Sequence, residues 1–326
     1  MKTLNRLFAT VMGATSIALV ASFPTVNVQA AAPMISAQPA AFYTIKVGAF
    51  EVTAVYDGGG PLSPTLLHED AQRVLTMLES NYLPTDNIQG SIAGFVVNTG
   101  SKLILIDTGT GGQGTKTGKF MKNFRAAGYQ PEQVDEILLT HLHHDHVGGI
   151  VGPDGQALFP NAVIRLAQSE SDYWLSPSNA QRALDGEKDD FEVARKAAKP
   201  YEDSGRWSPF QAGELIDPGI QALALPGHTP GHTGYQLTSN GHTLFIWGDV
   251  VNFAVVQLPR PSISVDFDNN PVQAAKTRAA LLRRLSQEGA LVAGPHMPFP
   301  GFGHLRVQAQ GYAWIPVTYS DAIVQP

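Results

Sequence analysis

The chain has 326 residues, of which 15% are charged and 43% hydrophobic, with 32 glycines, 23 prolines and no cysteine. Such a composition belongs to a loop-rich globular protein and excludes a disordered chain, a coiled coil and a disulfide-stapled scaffold. A formal net charge of −6, without any Lys/Arg-rich block, argues against a nucleic-acid partner. Residues 1–30 read as a signal peptide: Lys2 and Arg6 form a basic start, residues 7–22 are apolar and uncharged, and Val28-Gln29-Ala30 offers small residues for cleavage before Ala31. The apolar run is shorter than the roughly 20 residues a membrane span requires. The mature protein is therefore expected to have no membrane span and to be periplasmic or secreted. Residues 31–42, rich in Ala and Pro, are expected to form a flexible arm.

Residues 43–326 read as a single domain. Alternating apolar residues over 43–56, broken at Gly48-Ala49, predict a β-hairpin, and helical spacing predicts a helix over 69–83. A second hairpin is expected from 92–98 and 102–107. The following stretch, Gly109-Thr110-Gly111-Gly112-Gln113-Gly114, satisfies G-x-G-x-x-G. It is read as a decoy, because Asp107-Thr108 intervenes after the strand and a loop continues where a dinucleotide fold needs a helix. A short helix over 119–127 leads to the apolar strand at 137–139. A further strand at 162–166 is followed by a helical turn capped by Ser169. Residues 176–207 are polar and helix-forming and read as a helical insertion or cap. The neighbouring aromatics Tyr173, Trp174, Phe191, Trp207 and Phe210 are expected to rim an opening. Strands at 220–225, 235–237, 243–247 and 290–293, with a helix over 271–287, complete the pattern.

The strand at 137–139 ends in Thr140-His141-Leu142-His143-His144-Asp145-His146, which holds four of the ten histidines. Imidazole and carboxylate are compatible zinc ligands, and buried imidazoles this dense would lack partners without a metal. His141 and His143 lie two apart and project to one side of an extended segment, while Asp145 and His146 swing round to a second point. The same arrangement recurs three times. His228 follows a strand inside Pro226-Gly227-His228-Thr229-Pro230-Gly231-His232, Asp249 follows Gly248, and His296 follows Gly294-Pro295. Asp107, also at a strand end, is expected to orient a ligand histidine, and His232 to fix its loop.

This series of residues resembles the metallo-β-lactamase superfamily over nearly the whole mature chain. The resemblance implies an α/β (α+β) fold, a four-layer αββα sandwich. It implies two divalent metal ions, one held by His141, His143 and His228, the other by Asp145, His146 and His296, with Asp249 bridging. Donors of nitrogen and oxygen without thiolate suit zinc, with manganese, cobalt or iron as alternatives. Such a site gives a bridging hydroxide as nucleophile and polarises a carbonyl or phosphoryl oxygen. Asp145 and Asp249 are the candidate catalytic residues, able to relay a proton. The bridging Asp249 departs from true β-lactamases and fits the lactonase, glyoxalase II and phosphotriesterase branches. Within these, residues 128–137, residues 296–304, Asp107 and Gly311-Tyr312 resemble methyl parathion hydrolases and lactonase-like relatives. The implied function is hydrolysis of a small neutral lactone, ester or phosphotriester, and such relatives are often homodimers. A β-lactamase or thioesterase on the same scaffold, and a non-catalytic zinc-binding protein, are the alternatives.

Overall fold

Among the described residues two large β-sheets are filled in chain order, one by each half of the chain, beside a small two-stranded sheet of Pro61–Leu62 and Ile88–Gln89. In this computed structural model the described residues are Met34 and 38–326, except 113–115, 184, 185 and 212. The signal-peptide reading of residues 1–30, and most of the 31–42 arm, lie outside them. The first sheet runs, strand beside strand, Phe42–Val47, Phe50–Gly58, Ile92–Asn98, Leu103–Ile106, Glu136–Leu138 and Val163–Arg165. The second runs Leu215–Asp217, Ile220–Ala224, Thr233–Ser239, His242–Ile246, Leu291–Ala293, Phe302–Val307 and Tyr312–Pro316. Hairpins make most pairs antiparallel. Leu103–Ile106 with Glu136–Leu138, Glu136–Leu138 with Val163–Arg165, and His242–Ile246 with Leu291–Ala293 are parallel. Parallel neighbours require crossovers, and helices Phe120–Ala126 and Pro271–Glu288 lie on two of them.

The period of two along each strand sorts side chains between layers. Phe95, Val97, Ile104 and Ile106 of the first sheet pack with Tyr235, Leu237, Leu244 and Ile246 of the second in one buried cluster between the sheets. Val96, Leu105 and Ile137 point the other way, against Phe124, Trp174, Phe191 and Tyr201 on helices. On the far side of the second sheet, Phe245 and Val292 meet Leu281, Leu282 and Leu285 of helix Pro271–Glu288. The result is the expected four-layer αββα sandwich in a single domain.

Local differences have physical causes. The first predicted helix is Ala71–Ser80, shorter than 69–83 because Asp70 caps it, its side chain accepting from the backbone of Arg73 at 3.0 Å. Ser169 is not a cap: helix Gln168–Trp174 starts after Ala167, which offers no side-chain acceptor, and Ser169 lies inside it. Segment 176–207 contains helices Pro177–Arg182 and Lys188–Asp203. Its aromatics do not rim an opening. Trp174, Phe191 and Phe210 are at most 2% exposed, and Tyr173 and Trp207 pack against the same helix-side core.

Candidate metal centre

Each expected ligand sits just past a strand end. His141 follows Glu136–Leu138, and His143 is the extended residue that opens the one-turn helix His144–Val147. The turn carries Asp145 and His146 round to a second point. From the second sheet come His228, after Ile220–Ala224, Asp249, in the turn Gly248–Val250, and His296, after Leu291–Ala293. The structure brings all seven together. Donor atoms lie within 4.8 Å of one another in three groups: His141, His143 and His228; His141, His146 and Asp249; and Asp145, His146 and His296. The carboxylate of Asp249 spans the groups, with Oδ2 at 3.3 Å from His228 Nε2 and 3.1 Å from His296 Nε2, and Oδ1 at 3.1 Å from His146 Nε2.

Hydrogen bonds behind the ligands set their tautomers. His146 Nδ1 lies 2.9 Å from Asp107 Oδ2, His228 Nδ1 2.9 Å from Asp268 Oδ1, and His296 Nδ1 2.7 Å from the Ser91 carbonyl. These partners only accept, so each Nδ1 donates and each Nε2 points inward, where it can ligate a cation once it has lost its proton. For His141 the partner is Thr140 Oγ1, at 3.0 Å, which itself donates to Asp107 Oδ2 at 2.8 Å. His143 is turned the other way: its Nδ1 faces His141 Nε2 and His228 Nε2, each at 3.0 Å. Three imidazole nitrogens therefore converge on one point. His146 Nε2 and Asp249 Oδ1 are buried and make no aligned hydrogen bond. Converging lone pairs with unpartnered buried donors are what a cation-binding site needs, so the residues fit the metals the resemblance implies.

The electrostatics match. Burial, then the charge of His228, holds His143 down to about 4, and burial with the charge of His146 holds His141 well below the usual imidazole range. Burial opposes ionisation of Asp145, yet His146, His144 and His296 hold it down to about 2. Burial also pulls His228 down, but Asp249 and Asp268 raise it to about 9. Burial likewise pulls His146 and His296 down, but the carboxylates of Asp249 and Asp145 raise His146 well above the usual imidazole range and raise His296 too. Neutral imidazoles and ionised carboxylates are the ligand forms, so His146, His228 and His296 must each give up a proton on loading.

Several supporting residues carry no motif. Asp268 was missed, as was Arg278, 1% exposed, whose guanidinium bonds the carbonyls of Val250, Pro261 and Ile263. Asn252 Nδ2 donates to Asp249 Oδ2 at 2.7 Å. Glu170, fully buried, accepts from Leu142 N, Trp174 Nε1, Thr229 Oγ1 and Gly231 N, tying the two histidine loops together. His232 fixes its loop as expected, with Nδ1 at 3.2 Å from the Leu225 carbonyl, and its Nε2 also accepts from Asp249 N at 2.9 Å. His144, not a ligand, pairs with Asp190 at 3.0 Å. His68 pairs with Asp266 at 2.7 Å, away from the centre.

A cavity of about 640 Å³ opens above the ligands. Its wall is aliphatic more than aromatic: Pro61, Leu62 and Ile92 line it, with Phe267 as its aromatic ring. Thr110, Lys116 and Thr117 line another side, so the loop read as a decoy borders the site after all.

Comparison with known proteins agrees with this geometry. The family model described as "Metallo-beta-lactamase superfamily" matches residues 89–296. A probable metallo-hydrolase of Mycobacterium bovis is 26% identical over 175 residues, 47% of this chain and 54% of that protein. An N-acyl homoserine lactonase of a Bacillus species is 27% identical over 126 residues, 36% of this chain and 38% of that one. The chain thus spans about half the length, or less, of the curated relatives it matches. Among solved structures, the hydrolase AbOPH, described as in the beta lactamase superfamily, has a TM-score of 0.84 at 37% identity, covering 87% of this chain and 100% of that one. AidC, a dizinc quorum-quenching lactonase with a bound homoserine product, has a TM-score of 0.81 at 26% identity, covering 86% and 99%.

Proposed function

The chain belongs to the metallo-beta-lactamase superfamily, and on that premise we propose that it is an exported dinuclear hydrolase that opens lactones or cleaves neutral esters, with phosphotriesters as a further substrate class. The observation that carries this reading is Asp249, whose two oxygens face both ligand groups. A single-ion site needs no such carboxylate. His141, His143 and His228 would hold one ion, Asp145, His146 and His296 the other, and the all-nitrogen-and-oxygen donor set favours zinc. When bound, the ions supply an activated water nucleophile and Lewis-acid polarisation of the substrate oxygen.

The chain's own residues do the rest. Asn252 orients Asp249, and Asp107 and Asp268 fix the rings of His146 and His228. Asp145, ionised and lining the cavity, is placed to accept a proton on a carboxylate oxygen and return it to the leaving alkoxide. Leu62, Ile92 and Phe267 give the cavity an apolar side that suits an uncharged, partly apolar substrate. The lactonases among the neighbours support the lactone reading, and the phosphotriester reading rests on the sequence resemblance to methyl parathion hydrolases.

The test is kcat/KM on N-hexanoyl homoserine lactone, an aryl lactone and a paraoxon-type ester, before and after chelation and metal reconstitution. Metal-dependent turnover of at least one supports the proposal, and none refutes it. Export rests on residues 1–30, and a protein recovered from periplasm or medium that still begins at Met1 would refute the cleavage.

A further inference from the structure

The glycine-rich stretch after Asp107 has the spelling of a phosphate cradle, and its backbone does surround an anion. That anion is the chain's own. Asp57, fully buried at the end of strand Phe50–Gly58, accepts from Phe120 N on Oδ1 at 2.9 Å. On Oδ2 it accepts from Thr110 N at 3.2 Å, Thr110 Oγ1 at 2.9 Å and Gly118 N at 3.0 Å. Its carbonyl takes Lys119 N at 2.8 Å. A concavity of backbone N–H groups favours an anion, and here Asp57 fills it.

The glycines permit this closeness. A Cβ on Gly109 would stand 2.4 Å from the Asp57 carboxyl carbon. Gly118 has φ +82°, and its Cβ would meet Gly112 Cα at 2.3 Å, so Gly112 packs directly against the residue whose N–H reaches Asp57. Beyond Asp57, Gly59 N reaches the Lys116 carbonyl at 3.5 Å. The anchored segments present Thr110, Lys116 and Thr117 on one side, and Gly59, Gly60 and Pro61 on the other, to the cavity above the ligands.

We propose that Asp57 is a specificity-determining positioning residue: by gathering the donors of Thr110, Gly118 and Phe120 it fixes the Thr110–Lys116–Thr117 wall against which the substrate lies. It touches neither the ligands nor the substrate. The proposal rests on the hydrolase reading only for its kinetic arm. A competing role exists, because Thr108, at the base of the loop, donates both N–H and Oγ1 to the His146 carbonyl at 2.9 Å, so the loop could serve the metal motif instead.

The isosteric Asp57→Asn variant separates the two. An amide keeps one acceptor oxygen and turns an NH2 toward donors that the carboxylate received. Hydrogen exchange of amides 116–120 in the metal-loaded full chain is expected to speed up by roughly tenfold or more, as a lost charge-assisted bond would cause. KM for N-hexanoyl homoserine lactone is expected to rise about tenfold, with kcat within about twofold, the signature of lost substrate binding. Metal content per chain is expected to stay at the wild-type value. Wild-type exchange overturns the anchoring. A fall in kcat and metal content at unchanged KM overturns the specificity role in favour of the metal motif. If Asp57→Asn does not fold, Thr110→Val removes one of the bonds at nearly constant shape, and unchanged exchange in that variant is equally decisive. Failure of the wild type to turn over any substrate would count against the hydrolase reading, while the exchange result still judges Asp57.

Discussion

Asp268→Asn tests whether the support behind the ligands sets metal affinity. In the wild type, Asp268 Oδ1 accepts from His228 Nδ1 at 2.9 Å, Oδ2 accepts from Val265 N at 3.1 Å, and Arg278 Nη2 lies 3.6 Å from Oδ2. The variant keeps the shape, removes the charge that makes the His228 ring a strong donor, and leaves Arg278 without its carboxylate. Removing such a supporting partner typically costs about 10- to 100-fold in metal affinity, roughly 1.4–2.7 kcal/mol. Orphaning a buried charge costs about 3–5 kcal/mol. Arg278 keeps its three carbonyl acceptors, so the lower end, about 3 kcal/mol, is the expected loss. For a chain of this size that lowers the melting temperature by about 5–10 °C. The sharper readout is stoichiometry after equilibration in a chelator-buffered series. Asp107 still holds His146, so the ion of the His141, His143 and His228 group is expected to leave first and the other to stay. Equal loss of both ions, or a lower melting temperature at wild-type affinity for both, would refute the reasoning.

Asp249→Ala is expected to abolish hydrolysis while the protein stays folded, because the backbone N–H of residue 249 still reaches His232; wild-type rates would mean that the site is misread. Glu170→Gln turns an NH2 toward buried donors from Leu142, Trp174, Thr229 or Gly231. Each donor left unsatisfied costs about 1–3 kcal/mol, which calorimetry should report as a lower melting temperature. Lys102 bridges Glu136 of one sheet and Asp217 of the other, and its bonds to Asp217 and then Glu136 raise its pKa above 10.5. A raised folded-state pKa means that this stabilisation is present below pH 10.5 and is lost as pH climbs through the raised value. Lys102→Met should therefore lower urea stability by about 1 kcal/mol or less at neutral pH, since the lysine is partly exposed. The difference should shrink above pH 10.5, and a gap that widens there would contradict the assignment.

The parts legible in the sequence were those written in short-range pattern. Period-two alternation placed the hairpin around Gly48, and strand-then-ligand repetition placed His141 to His146, His228, Asp249 and His296. Asp107 could be assigned because it closes an apolar strand. The missed residues gain their meaning only in three dimensions. Asp268 lies 40 positions from His228 and Asp57 lies 53 from Thr110, and neither is flanked by a motif. Nothing in the sequence marks Glu170, because three of its four donors, Leu142 N, Thr229 Oγ1 and Gly231 N, come from distant loops and only Trp174 lies on its own helix. The aromatics near 173–210 failed as a rim because composition cannot tell which side of a helix meets a sheet. Phe191 sits at 1% exposure beneath Lys188–Asp203, while the solvent side of that helix is charged. The loop at 109–118 shows no role in the sequence, since its anion comes from another strand.

The site is divided between the two halves of the fold, and this has a consequence for stability. His141, His143, Asp145 and His146 come from the first sheet, and His228, Asp249 and His296 from the second. Each ligand group named above draws on both. The protein already stitches this end of the sandwich with bonds between the halves. Tyr235 Oη donates to the Leu139 carbonyl at 2.7 Å, Thr233 N to the Thr140 carbonyl at 2.9 Å, and Thr229 and Gly231 to Glu170. These contacts hold the histidine strand end against the second sheet whether or not its ligands are engaged. The ligand groups are thereby preorganised, and less of the binding free energy is spent on ordering them. Any cation that binds there links the halves again and stabilises the folded state by mass action, by about 4 kcal/mol when its free concentration is about a thousand times its dissociation constant. Glu170, Tyr235 and Thr233 therefore belong to the metal chemistry as much as Asp107 and Asp268 do, although none of the three faces a ligand.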